Sequence, residues 1–438
     1  MNVPTRHPAT QQDAGLYIGL DLGTSGCRAI AIDRQQRVIA ESGITYPEAA
    51  TCQPGQPQDP WPWWACSQHV LLSLLDQLDR NQVRAIAVDG TSATLLLTDA
   101  DCQPLGPALM YNDGRCIDEA ALIGQAAPTT SGAHGATSSL AKLLSMQQQY
   151  PAARHAMHQS DWITSLLSGR CGISDENNCL KLGYDVIRRC WPDWLDKLPL
   201  KQELLPTVVQ AGTGLGPLCA NMAAELGLPA STQVVSGTTD GVAAFLATGA
   251  HQTGDAVTSL GSTLVVKLLS DTPIFAPDYG VYSHRLGDQW LIGGASNCGG
   301  ATLLNYFSRQ QLEQMTVELK PGQATGLDYY PLPAVGERFP VSDRHKQPRL
   351  SPRPKDDVVF FQAILEGIAA VEAQAYALLA ELGAPAIKIV RTVGGGASNT
   401  AWTRIRQDRL QCDFSEARHL QAAYGTALLA LKSQQPTR

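Results

Sequence analysis

One short motif occurs twice in this chain, each time at the end of a hydrophobic strand. Asp21-Leu22-Gly23-Thr24-Ser25-Gly26 ends the first, and Ser259-Leu260-Gly261-Ser262-Thr263 ends the second about halfway along. A glycine triplet, Gly394-Gly395-Gly396-Ala397-Ser398-Asn399, follows a third strand and opens a helix. Each motif places small residues and free backbone N–H groups where a strand stops. That arrangement suits phosphate oxygens. A chain that makes the same turn twice is most simply folded as two related α/β halves around a cleft.

The flanking pattern supports a duplication. Leu16, Ile18 and Leu20 alternate with Tyr17, Gly19 and Asp21, as in a half-buried strand. Arg28 to Ile32 reads as the return strand and Arg37 to Ala40 as a third. From Asp255 the plan repeats, with strands over Ala256–Leu260, Leu264–Leu269, Val281–Arg285 and Trp290–Ile292. Helices fall between these blocks. Leu140, Leu143 and Leu144 mark one that stops before Pro151, and Ile163, Leu166 and Leu167 mark another that ends near Gly169. The longest is expected over Asp357–Leu382, with Phe361, Ile364, Leu365, Ile368, Ala375 and Leu379 on its apolar stripe and Gly383 as its stop. Gly336 to Lys355 is proline-rich and charged and reads as an exposed loop, or one ordered by packing on a neighbour. Trp61, Trp63 and Trp64 read as core anchors at a helix start, and His155 and His158 as structural.

At 438 residues the chain is long enough for two or three domains. Its formal charge is −7, which argues against nucleic acid or an anionic membrane as a partner. No apolar run approaches the roughly 18 residues of a membrane span. The 11 cysteines form no C-x-x-C pair and suggest neither a zinc site nor a disulfide framework, so a reduced, cytoplasmic setting is expected. Residues 1–13 read as a polar tail.

The chemistry expected of two phosphate hairpins is phosphoryl transfer from ATP. That reaction needs a phosphate cradle, Mg²⁺ and a base near the accepting hydroxyl. G-x-x-x-x-G-K-[ST] is absent, so the cradle is not a P-loop. The hairpins are left to supply it, through Thr24, Ser25, Gly261, Ser262 and Thr263. Asp21 is placed to hold the water shell of Mg²⁺, which takes few protein carboxylates directly. Asp240, in Gly237-Thr238-Thr239-Asp240-Gly241, is the candidate general base. Polar clusters at Asp89–Ser92, Tyr111–Asp113 and Ser160–Trp162 suit a polyol pocket. Gly395, Gly396, Asn399 and Trp402 form the candidate adenosine turn, and Gly293–Asn297 a candidate opposite wall.

Taken together, Asp21–Ser25, Ser259–Thr263, Gly394–Asn399 and Ala422-Ala423-Tyr424-Gly425-Thr426-Ala427 resemble the FGGY carbohydrate kinases over nearly the whole chain. The resemblance implies a two-domain actin/Hsp70-like (ribonuclease H-like) ATPase fold with a central cleft that closes on substrate. It implies an N-terminal sugar-side domain over 14–247, joined by a C-terminal helix over 421–438, and a nucleotide-side domain over 248–420. Ala256–Leu269, Gly293–Thr302, Gly326–Pro333 and Gly90–Leu97 look most like the compact cyanobacterial and plant-chloroplast D-ribulose kinases. That likeness implies Asp21, Ser92 and Asp240 on the ketopentose, and Asn399 and Trp402 on the nucleotide. Bacterial D-xylulose kinases usually carry Met-His where this chain has Thr91-Ser92, and Trp at Tyr111. Ser398 replaces a lysine common in the family. The expectation is an ATP- and Mg²⁺-dependent kinase acting on D-ribulose, a monomer or weak homodimer. D-xylulose, another polyol, or sugar-independent ATP hydrolysis are the alternatives.

Overall fold

The computed structural model describes residues 15–46 and 55–435. The expected tail over 1–13 lies outside them, as do residues 436–438. Two six-stranded sheets organise the molecule. The first begins with β1 (Leu16–Leu22), β2 (Gly26–Ile32) and β3 (Val38–Thr45), an antiparallel meander. β4 (Val83–Gly90) returns parallel to β1. Two small ribbons follow, pairing β5 (Leu95–Thr98) with β6 (His155–His158) and β7 (Ile173–Asp175) with β8 (Thr207–Val209). β9 (Gly214–Pro217) and β10 (Gln233–Val235) complete the first sheet, in the order β3-β2-β1-β4-β10-β9.

The second sheet repeats this plan. β11 (Asp255–Leu260) and β12 (Leu264–Ser270) form its hairpin. β13 (Tyr282–Leu286) and β14 (Gln289–Ser296) extend the meander. β15 (Ile389–Val393) runs parallel to β11, and β16 (Asp413–Ser415) parallel to β15. In each sheet the hairpin strand pairs with a parallel strand reached by a long crossover. This is the two-domain α/β architecture of the actin/Hsp70-like ATPases.

Each sheet is covered on both faces. Trp63, Val70, Leu71 and Leu74 of the helix Trp61–Leu75 fill one side of the first. The other side is filled by Ala423, Tyr424 and Ala427 of the helix Ala422–Lys432, although that helix follows the whole second sheet in the chain. It approaches so closely that a Cβ on Gly19 of β1 would stand 2.1 Å from the Ala423 carbonyl. A seam of Val242, Phe245, Val257, Leu269 and Leu291 joins the halves.

The helix Asp357–Glu381 is the backbone of the second half, and every stripe residue expected on it is buried. It is long and apolar enough to cross a membrane by length and composition, which corrects the expectation that nothing here approaches a span. Its place is a protein core. Glu372 lies fully buried on it, with Arg406 Nε 2.6 Å and Thr258 Oγ1 2.5 Å from its carboxylate.

The Gly336–Lys355 stretch is mostly exposed from residue 341 on and is ordered by packing at its start, as expected. Phe339 is buried against Gly294, and the Glu337 carboxylate accepts from Ser296 Oγ at 2.6 Å and Tyr330 Oη at 3.1 Å. Other expectations change. Gly293–Ser296, expected as a wall of the nucleotide site, belong to β14. Trp63 is a core anchor, but Trp61 is 43% exposed. A disulfide joins Cys102 and Cys171, 69 residues apart, where no pairing was expected. Packing brings them together, since the buried Trp162 indole donates to the Cys102 carbonyl at 3.0 Å. His158 is structural, as expected. It bonds Asp161 at 2.9 Å and Ser139 at 3.2 Å, which commits Asp161 to capping and removes it from any sugar pocket.

Candidate active site

The carboxyl ends of the central strands of the first sheet gather acidic groups. Asp21 on β1 is in register with Asp89 on β4. The two carboxyl groups face each other with little water: Asp21 is 5% exposed and Asp89 fully buried. Burial raises Asp21 to about 6; a hydrogen bond with Asp89 opposes the rise, the Asp240 charge adds to it, and Arg28 relieves it least. Burial and the Asp21 charge push Asp89 far above the carboxylate range. Thr426, from the helix Ala422–Lys432, donates to Asp89 Oδ2, and Oδ1 is buried with no partner.

Asp240 completes the group. Gly90 and Thr239 form a parallel bridge, so the turn after β4 runs beside the start of the helix Asp240–Ala247. Asp240 Oδ1 accepts the Gly241 N–H at 2.6 Å, and the backbone N–H of Ser92 faces the same carboxylate. Burial raises Asp240, while these N–H groups, Lys267 and Lys181 hold it down. The Ser92 turn is braced behind. Ala93 has φ +67°, and the buried Lys142 ammonium donates to the Ala93 carbonyl at 2.7 Å and to Thr137 O at 2.9 Å. Asp21, Ser92 and Asp240 are therefore brought together. Asp113 is instead bound to Arg115 at 2.9 Å.

The second half carries a cavity of about 440 Å³. Gly261, Ser262, Gly395, Gly396, Asn399 and Trp402 stand in its wall. Gly394, at φ +86°, turns the chain out of β15 into this wall. Asn399 Oδ1 caps the following helix by accepting the Trp402 N–H at 2.9 Å. Trp402 is 4% exposed, and its indole donates to the Leu365 carbonyl at 3.2 Å. A side chain on Gly396 would strike the Trp402 ring, so only glycine leaves that ring as a floor. Gly300 N–H bonds the Gly261 carbonyl at 2.9 Å, which fixes the hairpin turn. Thr263 is not in the cavity wall; its carbonyl accepts the Gly261 N–H at 3.2 Å. Thr24 and Ser25 do not line the cavity and are exposed at the tip of the first hairpin.

One sheet thus gathers acidic groups at its strand ends, and its repeat carries a cavity of about 440 Å³. The N-terminal domain of the FGGY family of carbohydrate kinases matches residues 16–247, and its C-terminal domain matches 256–433. The chain belongs to the FGGY family of carbohydrate kinases. Xylulose kinase of Escherichia coli K12 is 26% identical to this FGGY kinase over 451 residues, covering 96% of this chain and 90% of the relative. Among solved structures, a xyloylose kinase from Brucella ovis aligns with TM-score 0.85 at 25% identity, over 95% of this chain and 90% of that one. Xylulose kinase from Rhodospirillum rubrum aligns with TM-score 0.81 at 26% identity, over 95% and 89%. Kinases of this family use ATP, typically with Mg²⁺.

Sequence reasoning passed over three groups in this FGGY kinase. Asp89 was visible only as part of a polar turn, because its meeting with Asp21 depends on strand pairing. Thr426 lies in a motif with no evident chemistry until the fold brings it back to β4. Lys267 had a signal, as the one charge in the apolar run Leu264–Leu269.

Proposed function

We propose that this FGGY kinase transfers the γ-phosphoryl group of ATP to the O5 hydroxyl of D-ribulose, with Asp240 as general base. The observation that carries the reading is the convergence of Asp21, Asp240 and the Ser92 turn at one strand-end cluster. Asp240 receives the O5 proton as that oxygen attacks the γ-phosphorus, and the bond from phosphorus to the bridging oxygen of ADP breaks. A loose transition state asks little basicity of the carboxylate, so orienting the hydroxyl is the larger part of its role. Asp21 and Ser92 hold neighbouring hydroxyls of the sugar. Thr24, Ser25, Gly261, Ser262 and Thr263 belong to the two phosphate turns, and Gly395, Gly396, Asn399 and Trp402 to the adenosine wall.

The residues suit a hydrated Mg²⁺. Among the described residues no cluster of three ligating side chains can grip a bare ion. Asp21, and the buried unpartnered Oδ1 of Asp89, are acceptors for metal-bound water. When bound, the ion neutralises charge on the transferring phosphates.

D-Ribulose is preferred over D-xylulose because Thr91-Ser92 puts short hydroxyl side chains where bacterial D-xylulose kinases usually carry Met-His. D-Xylulose is the second reading, supported by the names of the relatives above. The deciding experiment is ADP release from Mg²⁺-ATP with each ketose in turn. Preference for D-ribulose with a pentulose 5-phosphate product is expected. Preference for D-xylulose transfers the assignment to that sugar, and release indifferent to sugar overturns the D-ribulose assignment in favour of an ATPase or a kinase of another substrate.

A further inference from the structure

One charge outside the proposed base and metal groups spans the seam between the domains, Lys267. It lies on β12, in the domain that carries the nucleotide cavity, yet it reaches the other domain. Its neighbours on that face of the sheet are Val257, Ser259, Val265 and Val393. Across a gap of about 240 Å³ stand Gly241, Ala244 and Phe245 of the helix Asp240–Ala247. The Lys267 ammonium donates to the Gly241 carbonyl, in the first turn of that helix. An ammonium has three donors, and a surface lysine normally keeps them in water. Here the stem threads an apolar seam to place the charge beside Asp240.

The charges around it explain why. Asp21, Asp89 and Asp240 come from the first domain, and ATP would add further negative charge from the second. Lys181 also faces Asp240, and His284 on β13 faces both lysines and is held neutral, lowered to about 3 by burial and their charges. Of the two lysines, Lys267 alone stands on the nucleotide-bearing sheet. It can therefore counter the carboxylates and tie the helix of Asp240 to the domain that delivers the phosphoryl group.

We propose that Lys267 is a positioning residue for phosphoryl transfer: by bonding the Gly241 carbonyl across the domain seam, it fixes the Asp240 carboxylate relative to the nucleotide-bearing sheet. This rests on the reading of Asp240 as the base. A misplaced reacting group of about 1 Å can lower a rate about 10²-fold. Lys267 is not in the wall of the nucleotide cavity, so ATP affinity should be spared.

The test compares Lys267→Met, Lys267→Arg and Asp240→Asn in the full chain, with kcat and both KM values measured on the preferred ketose. Lys267→Met puts an unbranched apolar side chain in an apolar seam, and a melting curve checks that it folds. The expected result is a kcat about 10- to 100-fold lower, an ATP KM within about twofold of the parent, and substantial recovery of kcat in Lys267→Arg. If Lys267→Met keeps the parental kcat while Asp240→Asn is inactive, the lysine is only part of the seam and the proposal falls. If Lys267→Met raises the ATP KM and leaves kcat alone, the lysine serves nucleotide binding and the proposal falls equally. Full turnover in Asp240→Asn would overturn the base assignment itself, separately from the lysine.

Discussion

The two sheets share a topology and differ in what they place at the same spot. Where β1 ends, the first sheet has Asp21 beside Asp89, both buried. Where β11 ends, the second has Leu260 and Gly261 beside the glycines that follow β15. One strand end concentrates charge against the cost of desolvation. The other removes side chains until a cavity opens over Trp402. Within this fold, one strand end holds a carboxylate pair, where we propose the acceptor sits, and the other a cavity opened by missing Cβ atoms, where we propose the nucleotide sits. The fold positions both, and the side chains at the strand ends decide which is which.

The sharpest break in that comparison is Asp240→Ala. On the first-domain side it should lower kcat by about 10³-fold, within the range for a lost general base, while ATP binding measured by calorimetry is retained. A matched loss of ATP binding would show the two sites to be less separate than drawn. Next in size is Gly396→Val. Its added atoms meet the Trp402 ring and Leu260, so the ATP KM should rise about tenfold or more, with the sugar KM unchanged. A smaller and opposite effect is expected for Asp21→Asn. Because the folded-state value of Asp21 is raised to about 6, the folded protein binds more protons than the unfolded chain between that value and the ordinary carboxylate range. Stability from this group is therefore present at low pH and lost as pH rises through about 6. The amide should raise the ligand-free melting temperature at pH 8 by on the order of 2 °C or more while reducing turnover. At pH 4 the gain should shrink. An equal gain at both pH values would mean that Asp21 is not a strained buried carboxylate.

Local signals were legible and long-range ones were not. The hairpins could be read because alternation and glycine turns are written in adjacent residues. The helix Asp357–Glu381 could be read from its stripe, but Glu372 on that stripe makes sense only once Arg406 and Thr258 arrive from elsewhere. Gly293–Asn297 read as a wall of the nucleotide site because it repeats the glycine-small-Asn pattern of Gly394–Asn399. In β14 the absence of a side chain on Gly294 makes room for the Phe339 ring. Asp21, Ser92 and Asp240 were named from separate motifs, and the structure brings them together. Thr24, Ser25 and Thr263 carry the phosphate-turn pattern without standing in the cavity wall. Disulfide pairing over 69 residues leaves no mark in local spacing.

The helix Ala422–Lys432 has a consequence for how this molecule is made. The chain leaves the first half near Ala247 and returns near Arg418, and these passages bond to each other, His419 N–H to Ala247 O and Arg418 N–H to Thr248 O, each at 3.0 Å. The second half is thus looped out of the first like a bead on a doubled thread. During synthesis β1 emerges before the second half, yet one face of it stays bare until the entire bead has been translated. The bead can fold as a closed excursion, while the older half waits for Ala423, Tyr424 and Ala427.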